Sequence, residues 1–218
     1  MNNLTNHNWS KPKPPQPKGD RESSAEPSST LLQARSPKTT DKPSEDSEAQ
    51  VIQRMVEYMK EFLEKPHQVF RGLPVCPFAR KARLDNRILY KVHRFASTPD
   101  VAEMEMIREF CQEQRYEVLL VMHPEKQALT QLQMQEFLEK LNEKIAAAGL
   151  VAFGGHPQQD FQIQGICTRQ EPYINFTVQF QQRLKDASDL LLRTTSYYQN
   201  WTTDNLRDVG IPRESNCS

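Results

Sequence analysis

The chain contains 218 residues, of which 28 are basic and 28 are acidic, so its formal net charge is zero. This balance argues against a nucleic-acid-binding protein, because such proteins normally carry an excess of Lys and Arg. No apolar run approaches the ~20 residues that a membrane-spanning helix needs, so we expect neither a nucleic-acid partner nor a membrane partner.

Residues 1–48 differ in composition from the rest of the chain. They contain seven of the fifteen prolines and eight serines, but no Phe, Tyr, Val or Ile. Such a segment cannot bury enough apolar surface to offset the entropy cost of ordering it. We therefore predict a disordered N-terminal tail over 1–48, followed by a single domain over 49–218. The proline-rich stretch 11–17 either docks an aromatic groove or only keeps the chain soluble.

The first helix is predicted near 49–65, where apolar residues recur at helical spacing before Pro66. The segment that follows, 72–80, places Cys76 between two prolines and ahead of a short basic run. Pro77 can occupy the first turn of a helix, which would seat Cys76 at a helix N-terminus and favour its thiolate form. A tight turn that buries an inert thiol is the alternative interpretation of the same residues.

Two strands and a helix are expected next. Ile88, Tyr90 and Val92 alternate as in a strand, and the continuously apolar run 118–122 suits a central strand. Between them, Thr98-Pro99-Asp100 marks the start of a helix. The apolar stripe of that helix is predicted to comprise Val101, Met104, Ile107 and Cys111.

The rest of the chain is predicted to alternate between helices and strands. Thr130 and Gln133 can form a capping box for a helix that ends at Gly149. Strands are expected at 150–153 and, with alternating residues, at 161–167. A long helix is predicted over about 173–199, and a short one begins near Thr203.

This order of elements predicts an α/β fold, with a small mixed sheet that has at least three parallel strands covered by helices. Strand–helix–strand connections are normally parallel and right-handed, which brings the C-terminal ends of the strands to one edge. Ligands bind outside that edge in open α/β sheets. Three histidines, His93, His123 and His156, follow the predicted strands and would lie there.

Three residues are the main candidates for chemistry. His156, after two glycines and before a proline, is either a metal ligand or acid–base group or only the cap of a turn. Cys76 is a thiolate ligand, a nucleophile, a redox sensor or an inert core thiol. Arg169, near the start of the predicted long helix, either holds a carboxylate or phosphate or is an ordinary surface arginine.

The four cysteines are widely spread and form no CxxC pair, and the N-terminus resembles no secretory signal. We therefore expect reduced thiols and a cytoplasmic location. The absence of HExxH and CxxC motifs makes zinc an unlikely cofactor on sequence grounds.

Two resemblances join these segments. Residues 62–78, with Pro66-His67 followed by Val75-Cys76-Pro77-Phe78, resemble the opening of a bacterial domain of unknown function. Cys76-Pro77-Phe78, Gly154-Gly155-His156-Pro157 and the segment 173–180 also resemble motifs of the YqcI/YcgG family. That family includes the haem-dependent N-hydroxylase of guanitoxin biosynthesis. It often has a histidine where this chain has Thr177.

The resemblance implies a haem-dependent oxygenase, similar to an N-hydroxylase, that acts on a small nitrogen-containing metabolite. His156 would be the first choice for the axial ligand to iron, Cys76 the second, and Arg169 would pair with a haem propionate. Two alternatives stay open. One is a thiol-dependent enzyme that uses Cys76 with His156 as base. The other is a non-catalytic interaction domain that binds partners through its tail.

Overall fold

The computed structural model describes residues 46–209, all within one compact unit. Most of the predicted tail, 1–45, lies outside the described residues, as does its proline-rich stretch. The last three residues of the predicted tail, 46–48, are part of the folded domain. Ser47 caps the first helix in a capping box with Gln50, and Asp46 accepts a hydrogen bond from the Tyr173 hydroxyl at 2.5 Å.

The first helix, α1, spans Glu48–Tyr58 and continues as a wider helical turn over Met59–Leu63, as the sequence predicts. The Cys76 segment leads into a short helix, α2, at Ala79–Leu84. Phe78 is its capping residue, so Pro77 precedes the helix and does not lie in its first turn.

The strand–helix pattern between residues 88 and 155 is confirmed. Strand β1 spans Ile88–Val92, helix α3 Val101–Gln112 and strand β2 Val118–Met122. Helix α4 spans Gln131–Ile145 and begins with the predicted capping box of Thr130 and Gln133. Gly149 ends the following short turn with φ 69°, and strand β3 spans Leu150–Gly155.

The predicted strand at 161–167 is instead a small hairpin. Its strands are β4, Gln162–Ile163, and β5, Ile166–Cys167. Gln164 and Gly165 both have positive φ, which turns the chain back on itself.

The long helix predicted over 173–199 is wrong in its first part. Asn175–Phe180 forms strand β6, and helix α5 spans only Gln181–Thr194. Phe176 and Phe180 fit a helical stripe, but polar and apolar residues also alternate along 175–180, and pairing with two neighbouring strands decides in favour of the strand. The last described elements are a turn at Tyr197–Asn200 and helix α6 at Thr203–Asp208.

Because β6 is a strand, the topology differs from the expected one. The protein has a mixed α/β fold whose four-stranded sheet has the order β1-β2-β6-β3. Strand β6 is antiparallel to both β2 and β3, so the sheet has one parallel pair, β1–β2, where we expected at least three parallel strands. Strand β3 still points in the same direction as β2, from which β6 separates it.

The two faces of the sheet are covered differently. Leu119, Val121 and Phe176 face α3 and α4 and belong to a continuous apolar core. Leu120 and Met122 face the opposite way, toward α1 and α2. A third apolar cluster lies away from the sheet and joins the turn at Gln68–Phe70 to the hairpin, to the end of α5 and to α6.

The predicted stripe of α3 is partly wrong. Ile107 is buried, but Val101 is 73% exposed and Cys111 is also exposed. The buried side of the helix instead carries Phe110 and Glu103. Glu103 lies inward because its carboxylate closes the capping box with Asp100 and also contacts His93.

Among residues 46–209, none of the helices has the length and apolar character that crossing a membrane requires.

Candidate functional site

A cavity of about 620 Å³ lies against the sheet face that carries Leu120. Its walls come from α1, α5, the Cys76 segment and the aromatic turn at Tyr197–Asn200. Small-molecule sites in proteins usually measure about 300–1,000 Å³ and are mostly apolar with a few polar groups. The cavity has the size and lining of such a site.

The floor of the cavity is formed by three adjacent strands. Thr177 of β6 lies in register between Leu120 of β2 and Phe153 of β3. Because side chains alternate along a strand, Asn175 and Gln179 face the cavity together with Thr177. A row of polar side chains therefore crosses a mainly apolar floor.

The roof of the cavity contains packed aromatic rings. Phe70 stacks on Tyr197 with ring centroids 4.9 Å apart, and Tyr198 meets Tyr197 edge-on at 4.8 Å. The Tyr197 hydroxyl donates a hydrogen bond to the carbonyl of Val75. This contact ties the roof to the residue next to Cys76.

Cys76, one of the candidates named from the sequence, lines the cavity and is half-buried. Burial raises the pKa of its thiol, and the nearby backbone N–H groups of Phe78 and Ala79 oppose that rise only in part. The raised pKa argues against the thiolate interpretation of this segment and favours the alternative, a buried thiol. In the protein without a ligand, Cys76 therefore favours the neutral thiol.

An ion pair ties α2, which follows the Cys76 segment, to the end of the helical turn that continues α1. Arg83 donates two hydrogen bonds to Glu64, from Nε to Oε1 at 2.6 Å and from its terminal nitrogen to Oε2 at 2.8 Å. The Glu64 side chain is 5% exposed and that of Arg83 is 17% exposed. Part of the basic run after Cys76 thus serves to position the segment.

Arg169 also lines the cavity, and its guanidinium lies 4.6 Å from the centroid of the Phe161 ring. The expected help from a helix dipole is not present, because the residues that follow Arg169 lead into β6 and not into a helix. Arg169 is nevertheless placed where it can meet an anionic group of a ligand.

Glu171 and Tyr58 are cavity residues that the sequence did not single out. The Oε2 atom of Glu171 is buried and has no hydrogen-bond partner among the described residues. Burial is the main cause of the raised pKa of the Glu171 carboxyl. Tyr58 is close enough that the negative charge of Glu171 adds to the effect of burial in raising the pKa of the Tyr58 hydroxyl.

His156 follows β3 as predicted, but its ring is used within the fold. Its Nε2–H donates to the carbonyl of Leu129 at 2.9 Å, and its Nδ1 accepts from the N–H of Gln158 at 3.1 Å. The residue is 4% exposed, and it is not among the described residues that line the cavity. This arrangement is that of the turn cap, which was the second interpretation of the sequence.

The two glycines before His156 make room for side chains on opposite faces of the sheet. A Cβ atom at Gly154 would lie 2.5 Å from Leu138, and one at Gly155 would lie 2.6 Å from Cγ of Glu171. Neither glycine has a positive φ. Both positions therefore require glycine because a side chain would not fit there, and not because of the backbone conformation.

The other two histidines at this edge of the sheet also lie against neighbouring residues and outside the cavity lining. Nδ1 of His123 accepts from the N–H of Glu125 at 3.0 Å, and burial lowers the pKa of this histidine. Nε2 of His93 lies 3.0 Å from Oε1 of Glu103. The structure therefore brings Cys76 and Arg169 to one cavity and leaves the histidines in contacts that stabilise the fold.

Comparisons of the chain with protein-family models, with curated protein sequences and with solved structures found no match. The geometry of the cavity is therefore the basis for the function proposed below.

Proposed function

We propose that this protein binds a small organic molecule, mainly apolar, in the cavity beside Cys76. The observation that carries the proposal is the cavity of about 620 Å³ with a row of polar residues along its floor. Protein interiors are normally packed with few voids larger than a water molecule. A space of this size against a sheet, in contact with a thiol and with charged side chains that include Arg169 and Glu171, is suited to a ligand.

The proposal can be tested with the fluorescent probe 8-anilinonaphthalene-1-sulfonate, which binds apolar sites. The full chain should bind the probe with saturation. Thr177→Trp, which places an indole in the middle of the floor, should reduce probe binding by about tenfold or more. Leu132→Trp adds the same ring on the exposed side of α4, where Leu132 is 65% exposed, and should leave binding unchanged. Equal binding by both variants would contradict the proposal.

The more specific form of the proposal is the haem-dependent oxygenase that the family resemblance implies, acting on a small nitrogen-containing metabolite. Bound haem would supply activation of dioxygen, and a thiolate ligand favours cleavage of the O–O bond. In this form Cys76 holds the metal, because it lines the cavity and a metal ion deprotonates a coordinating thiol. Arg169 pairs with a propionate from its place over the Phe161 ring.

His156 fits this role less well than Cys76. Coordination through Nε2 would remove its hydrogen bond to Leu129, and coordination through Nδ1 would remove the one from Gln158. Each loss leaves a backbone group unpaired at a site that is 4% exposed.

An absorption spectrum of the purified chain after addition of haem tests this form. We expect a Soret band that Cys76→Ser shifts or removes. Cys111→Ser, a matched change at an exposed cysteine on α3, should have no effect. His156→Ala should destabilise the fold and leave the position of the band unchanged. A chain that never takes up haem would end the haem form without affecting the broader proposal.

The two alternatives from the sequence receive no support from these contacts. A thiol-dependent enzyme needs a base within hydrogen-bond reach of the sulfur. His156, the base that the sequence suggested, makes its hydrogen bonds to Leu129 and Gln158. The interaction domain depends on a tail that lies outside the described residues.

A further inference from the structure

Glu171 is a carboxylate of the cavity with one oxygen that lacks a partner among the described residues. Its Oε2 atom is buried and makes no hydrogen bond within residues 46–209. A hydrogen bond from the Glu171 backbone N–H and the charge of Arg169 both lower the pKa of Glu171, but burial outweighs them and the pKa is raised. A buried acceptor without a donor costs free energy, more so when it carries a charge.

The other acidic groups at the cavity are satisfied within the protein. Glu117 lies 2.7 Å from a terminal nitrogen of Arg87 and 3.8 Å from one of Arg183. Asp186 accepts a hydrogen bond from Gln182 at 2.8 Å. Glu171 is therefore the acidic group of the cavity lining that a ligand can neutralise.

The backbone is shaped to hold Glu171 in this place. Gly155, at the end of β3, has no side chain, and a Cβ atom there would lie 2.6 Å from Cγ and 2.9 Å from Cδ of Glu171. Nδ2 of Asn175 would lie nearer still to that Cβ, at 2.5 Å, so a larger residue at 155 requires the Asn175 and Glu171 side chains to shift. The position of Glu171 thus depends on a glycine in the neighbouring strand.

The surroundings of Glu171 suit a cation attached to an apolar body. The ring of Tyr58 lines the same cavity, and its hydroxyl accepts from the N–H of Gln170 at 3.4 Å. Aromatic rings attract cations through their faces. Met55, Met59 and Leu63 provide apolar surface farther along the lining.

We propose that the ligand of this cavity carries a protonated amine, or another cationic N–H group, that donates to Glu171. This inference rests on the proposed cavity function and narrows its ligand to an amine with an apolar body. A cationic donor would give Oε2 the partner that it lacks and would offset the burial of the negative charge.

The inference is tested with two pairs of probes that differ only in the charged group. The pairs are 2-phenylethylamine with 2-phenylethanol, and hexylamine with hexan-1-ol, titrated into the full chain near pH 7 by calorimetry. At least one amine should bind about tenfold or more tightly than its alcohol. Glu171→Gln should remove this preference. Glu136→Gln, an exposed change on α4, should preserve it.

Each result distinguishes this inference from the function on which it rests. If the naphthalene probe binds in the cavity but neither amine binds better than its alcohol, the amine inference is wrong and the cavity function stands. An amine preference that survives in Glu171→Gln would also overturn the inference. If the naphthalene probe itself fails to bind, the cavity function fails.

Discussion

Replacing Arg83 by Met should destabilise the fold, because it leaves the Glu64 carboxylate buried without its partner. Arg83 donates both hydrogen bonds of the pair, at 2.6 and 2.8 Å, and the Glu64 side chain is only 5% exposed. Breaking a buried ion pair at one side costs about 3–5 kcal/mol. Since Arg83 itself is 17% exposed, we expect the lower end, about 3 kcal/mol. For a domain of this size, that loss corresponds to a fall in Tm of about 6–12 °C.

Thermal unfolding followed by circular dichroism measures this effect, and two variants make the result specific. Lys81→Met breaks an ion pair with Asp85 whose side chains are 77% and 42% exposed, so it should cost no more than about 1 kcal/mol. The double change Glu64→Met with Arg83→Met removes both charges and should recover most of the lost stability. If Arg83→Met and Lys81→Met lower Tm equally, the buried pair of Arg83 and Glu64 contributes no more to stability than an exposed ion pair does.

Three further predictions concern the cavity. Thr177→His, which introduces a histidine at the position where the YqcI/YcgG family often has one, should strengthen haem uptake measured by the Soret band. Unchanged uptake would count against the haem form. Burial raises the pKa of Glu171 in the folded protein above its ordinary 4.5, so stability falls as pH rises between the unfolded and folded values. Glu171→Gln should therefore raise the urea midpoint near pH 7 and change it much less near pH 4, and equal shifts would contradict this origin. Iodoacetamide should modify the exposed Cys111 before Cys76, as read by mass spectrometry of peptides; the reverse order would reveal a reactive thiolate.

Local signals in the sequence predicted most of the secondary structure. The capping box at Thr130 and the end of the helical segment at Gly149 depend on a few neighbouring residues, and both are confirmed. Strand β6 was missed because Phe176 and Phe180 fit a helical stripe, while the competing alternation matters only once β2 and β3 lie on either side. Pairing between distant segments cannot be read from one segment alone.

Only part of the candidate site could be predicted from the sequence, because some of its features arise only when distant segments pack together. Cys76 and Arg169 line the cavity, and the sequence had named both. Glu171 was missed because its importance comes from burial and from the missing side chain at Gly155, which are properties of the packed fold. The alternation of Asn175, Thr177 and Gln179 with apolar residues was the available signal for the polar floor. His156 looked like a ligand because a turn cap and a metal ligand can share the same sequence context.

Nuclear magnetic resonance of the methionine methyl groups tests whether the cavity beside Cys76 is where a ligand binds. Met55 and Met59 line the cavity, whereas Met134 packs against Gly154 on the other face of the sheet. If the cavity binds the naphthalene probe, titration should shift the Met55 and Met59 signals to saturation and should change the Met134 signal little. Shifts confined to Met134, or no shift at Met55 and Met59 while the probe binds, would place the ligand elsewhere and contradict binding in the cavity.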